Sequence, residues 1–557
     1  MAITSTKAEM GRNILKSSLQ NASFSIVFQI LFRCITFVLN AFIIRTVGQD
    51  VLGIMNVRLL LLESTILFLS KEPILKACLT DTKSHNWAQV INQIWLSVPI
   101  SGLMGLMLVY VWINVLSPTD DVYVTQYRLG CYAVALSCVV EQVTQSVVLV
   151  AQSFCFVKLK VIFETVYIVS RTIIFVYLVV NHPSGAINAF SIAQVTSAVV
   201  LCLLYYGFFF WYIAKLNVIK SSGGRGHKAL FSDMNDFPFS SITEFFPGVM
   251  GNYERLLNKD LCLLTISFAK QSVIKQILTE GERYVMTISP VLTFSQQSMY
   301  DIVNNLGSLA ARFIFRPIED SAYFYFTQMI KRDEPVQKQD QRHISESATV
   351  LSQLCNIVTS IGLMVVVFGQ SYSYTLLYLY GGTKLVANQL PVTLLRFHSF
   401  AIVLLAVNGV TEGYVFATMN NAQLDKYNYV MVIFSISFLV ISYVLTNILG
   451  PVGFILANCV NMLARITHSL IYIGKKYQDT AYKPLEGLIP TSKFLLALAA
   501  SGVATKISEV VLSSLILHIA VGAVCFTMTV VVWALENKSL LRLGYDKYKR
   551  RMSTKSD

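Results

Sequence analysis

The sequence predicts an all-α, polytopic membrane protein of about fourteen transmembrane helices. Three observations lead there. Of 557 residues, 54% are hydrophobic and only 13% charged, against about 25% charged in soluble domains, and the mean hydropathy is +0.58. The apolar runs are long and continuous, without the period-2 alternation of a barrel strand. Lys and Arg gather in alternate connectors. In lipid only helices and closed barrels satisfy every backbone polar group, so runs of this kind read as helices of about 20 residues each.

The chain opens with a polar stretch, 1–16, that lacks the apolar core of a secretory signal. The first span, 19–44, is therefore expected to act as its own signal. Five more spans follow at 51–77, 90–116, 125–152, 156–180 and 187–214. A polar connector, 215–264, contains Ser221-Ser222-Gly223-Gly224 and is the best internal boundary. Eight spans come after it, at 265–292, 297–328, 347–369, 391–419, 428–449, 452–474, 491–514 and 516–536. The expected organisation is a first lobe over 1–214, the connector, a second lobe over 265–474, and two extra helices with a basic tail over 475–557.

Basic residues test the orientation. With a cytosolic N-terminus, Lys158, Lys160, Lys215, Lys220, Lys331, Arg332, Lys475, Lys476 and the run Lys547 to Arg551 all fall on the cytosolic side. Lys384 is the clear exception. Both termini are thus expected in the cytosol. The net charge of +13 reflects this topology and not nucleic-acid binding. Trp87, Trp112, Trp211 and Trp533 sit near span ends as interfacial anchors. The sequons at Asn21 and Asn537 fall on the cytosolic side and are expected to stay unglycosylated.

Ten scattered cysteines with no paired spacing read as small core residues. No phosphate-binding loop is present, which argues against ATP hydrolysis by this chain. No zinc motif occurs, and no catalytic residue, cofactor or metal is expected. His398 reads as a helix contact. An internal repeat is suggested by Val47-Gly48-Gln49 to Asn56, after the first span, and Phe294-Ser295-Gln296 to Asn304, after the seventh.

Charges inside spans are costly and mark function by default. The first span carries Gln29, Arg33, Thr36 and Asn40 on one face, with Arg45 near its end. The second carries Asn56, Glu63 and Ser70, spaced by sevens, with Arg58 beside them and Lys71-Glu72 near the end. The seventh holds Lys270, Lys275, Glu280, Glu282 and Arg283. The eighth holds Asp301, Asn305, Ser308, Arg312 and Glu319, then Pro317 at a kink. Arg396, Glu412 and Arg465 follow. Two readings stand. The charges are structural ion pairs between helices, for example Glu63 with an Arg of the first span. Alternatively, they line a water-filled cavity between the two halves, where surplus Arg and Lys suit an anionic or phosphorylated ligand.

Several segments carry a family resemblance. They are Leu31-Phe32-Arg33 to Ile43, Asn56-Val57-Arg58-Leu59, Phe156-Val157-Lys158-Leu159-Lys160, Lys270 to Met286, Tyr300 to Leu309 with Ala311-Arg312, Tyr380-Gly381-Gly382-Thr383, Asn408 to Glu412 and Val452 to Asn458. In order and across nearly the whole chain, they resemble the eukaryotic Rft family, within the multidrug/oligosaccharidyl-lipid/polysaccharide exporter superfamily. The resemblance implies two pseudo-symmetric six-helix lobes around a central cavity, plus two extra helices. It implies an endoplasmic reticulum membrane protein concerned with the five-mannose, two-N-acetylglucosamine diphosphodolichol lipid. Within the matched motifs Arg33, Arg45, Arg58, Glu282, Arg283, Arg312 and Arg465, with Lys71, are the expected cavity residues. Gln29, Asn40, Glu63, Lys275, Asp301 and Asn305 are supporting polar groups.

The leading expectation is non-enzymatic translocation of the dolichol-linked oligosaccharide across the bilayer by alternating access. A second is an accessory protein that presents the lipid to lumenal glycosylation machinery without moving it. A third is a cation-coupled small-molecule antiporter.

Overall fold

A computed structural model describes residues 37–79, 86–116, 122–154, 156–221, 237–251, 256–289, 292–332 and 334–538. Helix is the only regular secondary structure among the described residues. We number the helices α1 Phe37–Thr46, α2 Gln49–Leu79 and α3 Trp87–Asn114, and α4 as the pair Val124–Val143 and Gln145–Ser153, bent by 44°. Next come α5 Val157–Asn181, α6 Ala186–Ser221 and α7 Lys259–Ile288. Helix α8 starts as Phe294–Ala310, passes through a π-turn Ala311–Phe315 and continues as Arg316–Met329. Then follow α9 Gln341–Val386, α10 Leu390–Thr418, α11 Asn421–Leu449, α12 Val452–Tyr477, α13 Ser492–Val511 and α14 Leu515–Glu536.

Ten of these helices are long and apolar enough to cross a membrane, and twelve if α4 and α7, bent by 44° and 57°, each count as one span. The other two expected spans have separate outcomes. Most of 19–44, including Gln29 and Arg33, lies outside the described residues. The span at 297–328 is helical but too polar to register by hydropathy, because it carries Asp301, Arg312, Arg316, Glu319 and Asp320. Span nine is much longer than the expected 347–369. Its apolar centre was legible; its polar first turns, from an Asp340 cap that accepts from the Arg342 amide, were not.

Local sequence sets the helix ends. Asn86, Asn258 and Asp340 cap α3, α7 and α9 with side-chain oxygens on first-turn amides. Thr293 with Gln296, and Asn420 with Gln423, close capping boxes at α8 and α11. Gly450, at φ 61°, ends α11 in a conformation that a side chain would resist.

The helices form two compact units, 1–290 and 291–557. In the first, α4 packs on α2, α3 and α6, and α5 packs on α6; α7 lies along α2. In the second, α10 packs on α8, α9 and α12, and α11 packs on α12. With α2 matched to α8, α3 to α9 and so on, the contacts of α4 and α5 recur in α10 and α11, while the close packing of α2 on α3 and on α7 does not recur at α8. The extra pair differs from this plan, with α13 packing on α9 and α14 on α13.

Outward faces are apolar, as lipid requires. Leu103, Leu106 and Tyr110 on α3 and Ile516, Val524 and Met528 on α14 are exposed. Trp112 corrects the anchor expectation: it is only 3% exposed, and its indole donates to the Arg58 carbonyl at 3.1 Å. Trp211 remains exposed, with the Lys215 ammonium 5.0 Å from its ring centre. All eight described cysteines are free, and Cys78, Cys131, Cys138 and Cys355 are buried as core residues.

Part of the connector is built into the first unit. Phe237, Phe239 and Phe245 are buried against Phe209 and Tyr205 of α6. Phe239 stacks on Phe245 at 4.6 Å, and Trp95 donates to the Phe245 carbonyl at 2.7 Å. The Gly248 amide donates to Asn92 Oδ1 at 2.8 Å. A polar reading of 215–264 missed these three Phe because they are scattered among Ser, Asp, Glu and Pro and form no long apolar run.

Candidate functional site

The charges of the first unit fall into two groups. One lies inside a polar cleft framed by α2, α4, α5 and α6, with a volume of about 440 Å³. Residues three and four apart share a helix face, so Glu63, Leu67 and Lys71 of α2 look the same way. Arg171 Nη1 of α5 lies 3.6 Å from Glu63 Oε1 and donates to Gln194 Oε1 of α6 at 3.1 Å. Tyr167, one turn before Arg171, donates its hydroxyl to Glu63 at 3.5 Å. Lys71 Nζ pairs with Glu141 of α4 at 3.3 Å. Glu63 therefore meets a cation, but the described one is Arg171 of the fifth span, not an Arg of the first.

The second group runs along the α2–α7 contact. Ser64 donates to Glu280 at 3.1 Å, and Gln276 donates to Ser64 at 3.4 Å. The Thr65 and Tyr284 hydroxyls share a hydrogen bond of 2.7 Å. Arg283 pairs with Glu280 at 3.3 Å. Lys275 reaches Glu72 at 4.0 Å and lies 5.4 Å over the Phe68 ring. Glu282 is half-buried on the same helix.

The remaining expected residues are placed as follows. Asn40 and Arg45 are exposed on α1. Arg58 is 3% exposed in the π-turn Ile54–Leu59 and donates to the Leu116 carbonyl at 3.0 Å. Asp301 is buried and accepts from Asn305 one turn on, at 3.1 Å. Arg312 sits in the π-turn of α8, with its side chain outside the described residues. Arg465 of α12 forks onto Glu412 of α10 through Nε, at 3.3 Å, and Nη2. The same carboxylate accepts from Asn408 at 3.0 Å and Tyr427 at 2.7 Å. Four donors on one buried anion satisfy it fully, so this cluster also locks three helices of the second unit.

Two further features lie in the second unit. His398 fills a notch at Gly307, where an added methyl would lie 2.0 Å from the ring, in keeping with a helix contact. An apolar cleft of about 530 Å³ runs between α8, α9, α10 and α14, lined by Phe368, Tyr372, Leu395 and Phe526.

Sequence reasoning missed Glu141, Glu164, Tyr167 and Arg171. The signal was present: Glu141 near the middle of α4 and Arg171 within apolar α5 are intramembrane charges by the same rule that picked out Glu63.

A polytopic bundle of this plan with intramembrane ion pairs is a transporter-like membrane protein. The solved structure described as lipid II flippase MurJ, inward closed conformation, superposes with a TM-score of 0.51 at 11% identity, covering 92% of this chain and all of that one. The likeness defines the fold. The chain belongs to the Rft protein family, whose model matches residues 17–547. It is 50% identical over 556 residues to the Man(5)GlcNAc(2)-PP-dolichol translocation protein RFT1 of Drosophila melanogaster, covering 98% of this chain and all of the relative. The Mus musculus protein of the same name is 39% identical, covering 93% of this chain and 94% of that one.

Proposed function

We propose that this protein carries Man5GlcNAc2-PP-dolichol from the cytosolic to the lumenal leaflet of the endoplasmic reticulum membrane, supplying protein N-glycosylation. The observation that carries the reading is end-to-end similarity, at 50% identity, to a protein named for that translocation. A MurJ-type helical fold agrees with it. No phosphate-binding loop occurs in the sequence, so movement proceeds without ATP hydrolysis by this chain, through alternating access around a cationic cavity. Arg33, Arg45, Arg58, Arg283, Arg312 and Arg465 are the proposed basic contacts for the diphosphate, because the Arg fork matches phosphate oxygens, and Lys71 is proposed to face the substrate elsewhere on the same surface. Glu282 and the polar groups Gln29, Asn40, Glu63, Lys275, Asp301 and Asn305 complete the proposed surface. Enclosing the sugars removes the cost of drawing their hydroxyls through hydrocarbon. Both termini then lie in the cytosol.

The test is reconstitution. Purified full-length protein in liposomes should accelerate transbilayer movement of the labelled lipid above protein-free liposomes. No acceleration overturns translocation and leaves an accessory role, presenting the lipid to lumenal glycosyltransferases. One observation favours that second reading: Lys71, Arg283 and Arg465 already have carboxylate partners.

A further inference from the structure

The cleft enclosed by α2, α4, α5 and α6 is a membrane-embedded space with a mixed polar lining. Its volume of about 440 Å³ falls within the ~300–1,000 Å³ range of small-molecule sites and holds about two sugar rings. Its lining holds three carboxylates and two cations, and each carboxylate has a basic partner. Glu63 faces Arg171, Glu141 faces Lys71, and Glu164 faces Lys160 at 3.7 Å. A diphosphate entering here would meet three carboxylates and would have to break an ion pair for each cation it gained. The occupant this chemistry suits is neutral and rich in hydroxyls.

A second observation points the same way. Gln145 lines the cleft and is 1% exposed. Its amide donates to the Glu141 carbonyl at 3.4 Å, while its Oε1 is buried without a partner among the described residues. Oε1 is closed to solvent in this conformation, and a turn of the Gln145 amide toward the cleft would let a ligand hydroxyl meet it. The rings of Tyr167 and Tyr205 also line the cleft and offer flat apolar faces to the C–H face of a sugar.

We propose that this cleft is a carbohydrate subsite, which takes one or two neutral hexose or N-acetylhexosamine rings inside the first unit. Ion-paired carboxylates keep spare lone pairs for vicinal hydroxyls, and Gln145 Oε1 accepts from another. The choice of sugar rests on the translocation reading, since the glycan of that lipid is its source. The cleft would hold the head of the glycan away from the groups that bind diphosphate.

The experiment uses the full chain in lipid nanodiscs and saturation-transfer NMR, with α-mannobiose and N,N′-diacetylchitobiose as probes. Wild type should give saturable transfer to at least one of them, undiminished by inorganic pyrophosphate. Gln145→Met removes the unmet acceptor at similar volume, and Glu164→Leu removes a half-exposed carboxylate. Each should weaken binding roughly three- to tenfold, the range of one lost hydrogen bond, with Tm unchanged. No transfer to either disaccharide, transfer indifferent to both substitutions, or displacement by pyrophosphate overturns the subsite. Lipid movement in liposomes without disaccharide binding refutes the subsite alone. Disaccharide binding without lipid movement refutes translocation alone.

Discussion

Glu63 of the second helix and Arg171 of the fifth meet at 3.6 Å, inside a bundle that lipid surrounds. Each charge is tolerable there because the other is present, and because Tyr167 and Gln194 share the burden. Removing one partner leaves an uncompensated charge. We expect Glu63→Ala to destabilise the first unit by about 3 kcal/mol, read as a lower Tm in detergent. The double variant Glu63→Gln with Arg171→Gln should recover part of that loss.

Arg465 and Glu412 make a parallel case in the second unit. Arg465→Lys keeps the charge but loses the fork, so folded yield should fall less than in Arg465→Ala, where a loss of about 3–5 kcal/mol is expected. Size-exclusion yield together with N-glycosylation per folded molecule separates the roles. Yield loss alone marks a structural pair. Glycosylation loss at normal yield marks a ligand contact.

Two glycines make a sharper comparison. A methyl at Gly453 would lie 2.4 Å from the Leu445 carbonyl, which is backbone, whereas one at Gly409 would meet the end of the Glu319 side chain. A side chain swings aside; a helix backbone does not. Gly453→Ala should therefore cost about 1–3 kcal/mol and Gly409→Ala clearly less, measured by thermal unfolding of each variant.

The aromatic strap should be separable from the bundle. Phe239→Ala and Phe245→Ala each remove a buried ring, worth about 3–5 kcal/mol locally. Trypsin should then cut the connector faster, at an unchanged global Tm, in a timed digest followed by mass spectrometry.

Much of the fold was legible because spans are long and their apolar centres unmistakable. The eighth helix was legible as a span at 297–328, and its stripe of Asp301, Asn305 and Arg312 makes it too polar for hydropathy alone. What sequence does not encode locally is partner choice. Glu63 and Arg171 belong to helices brought together by packing on α4, whose second half touches both, and no spacing rule links them. Trp112 shows the same limit. Its position near a span end fits a lipid anchor, yet close packing of α2 and α3 buries it.

The ninth helix has 46 residues and a single kink, at Gly382. Before that kink, residues 341–381 extend about 60 Å at 1.5 Å per residue, while a bilayer with its headgroups is about 40–45 Å thick. Roughly a third of it must stand in water, and the turn Pro484–Leu488 is clamped to it, with Gly487 against the Ser352 carbonyl. The protein thus carries a rigid post outside the membrane. An antibody fragment or fused marker gripping that post would report the attitude of the second unit without touching any span.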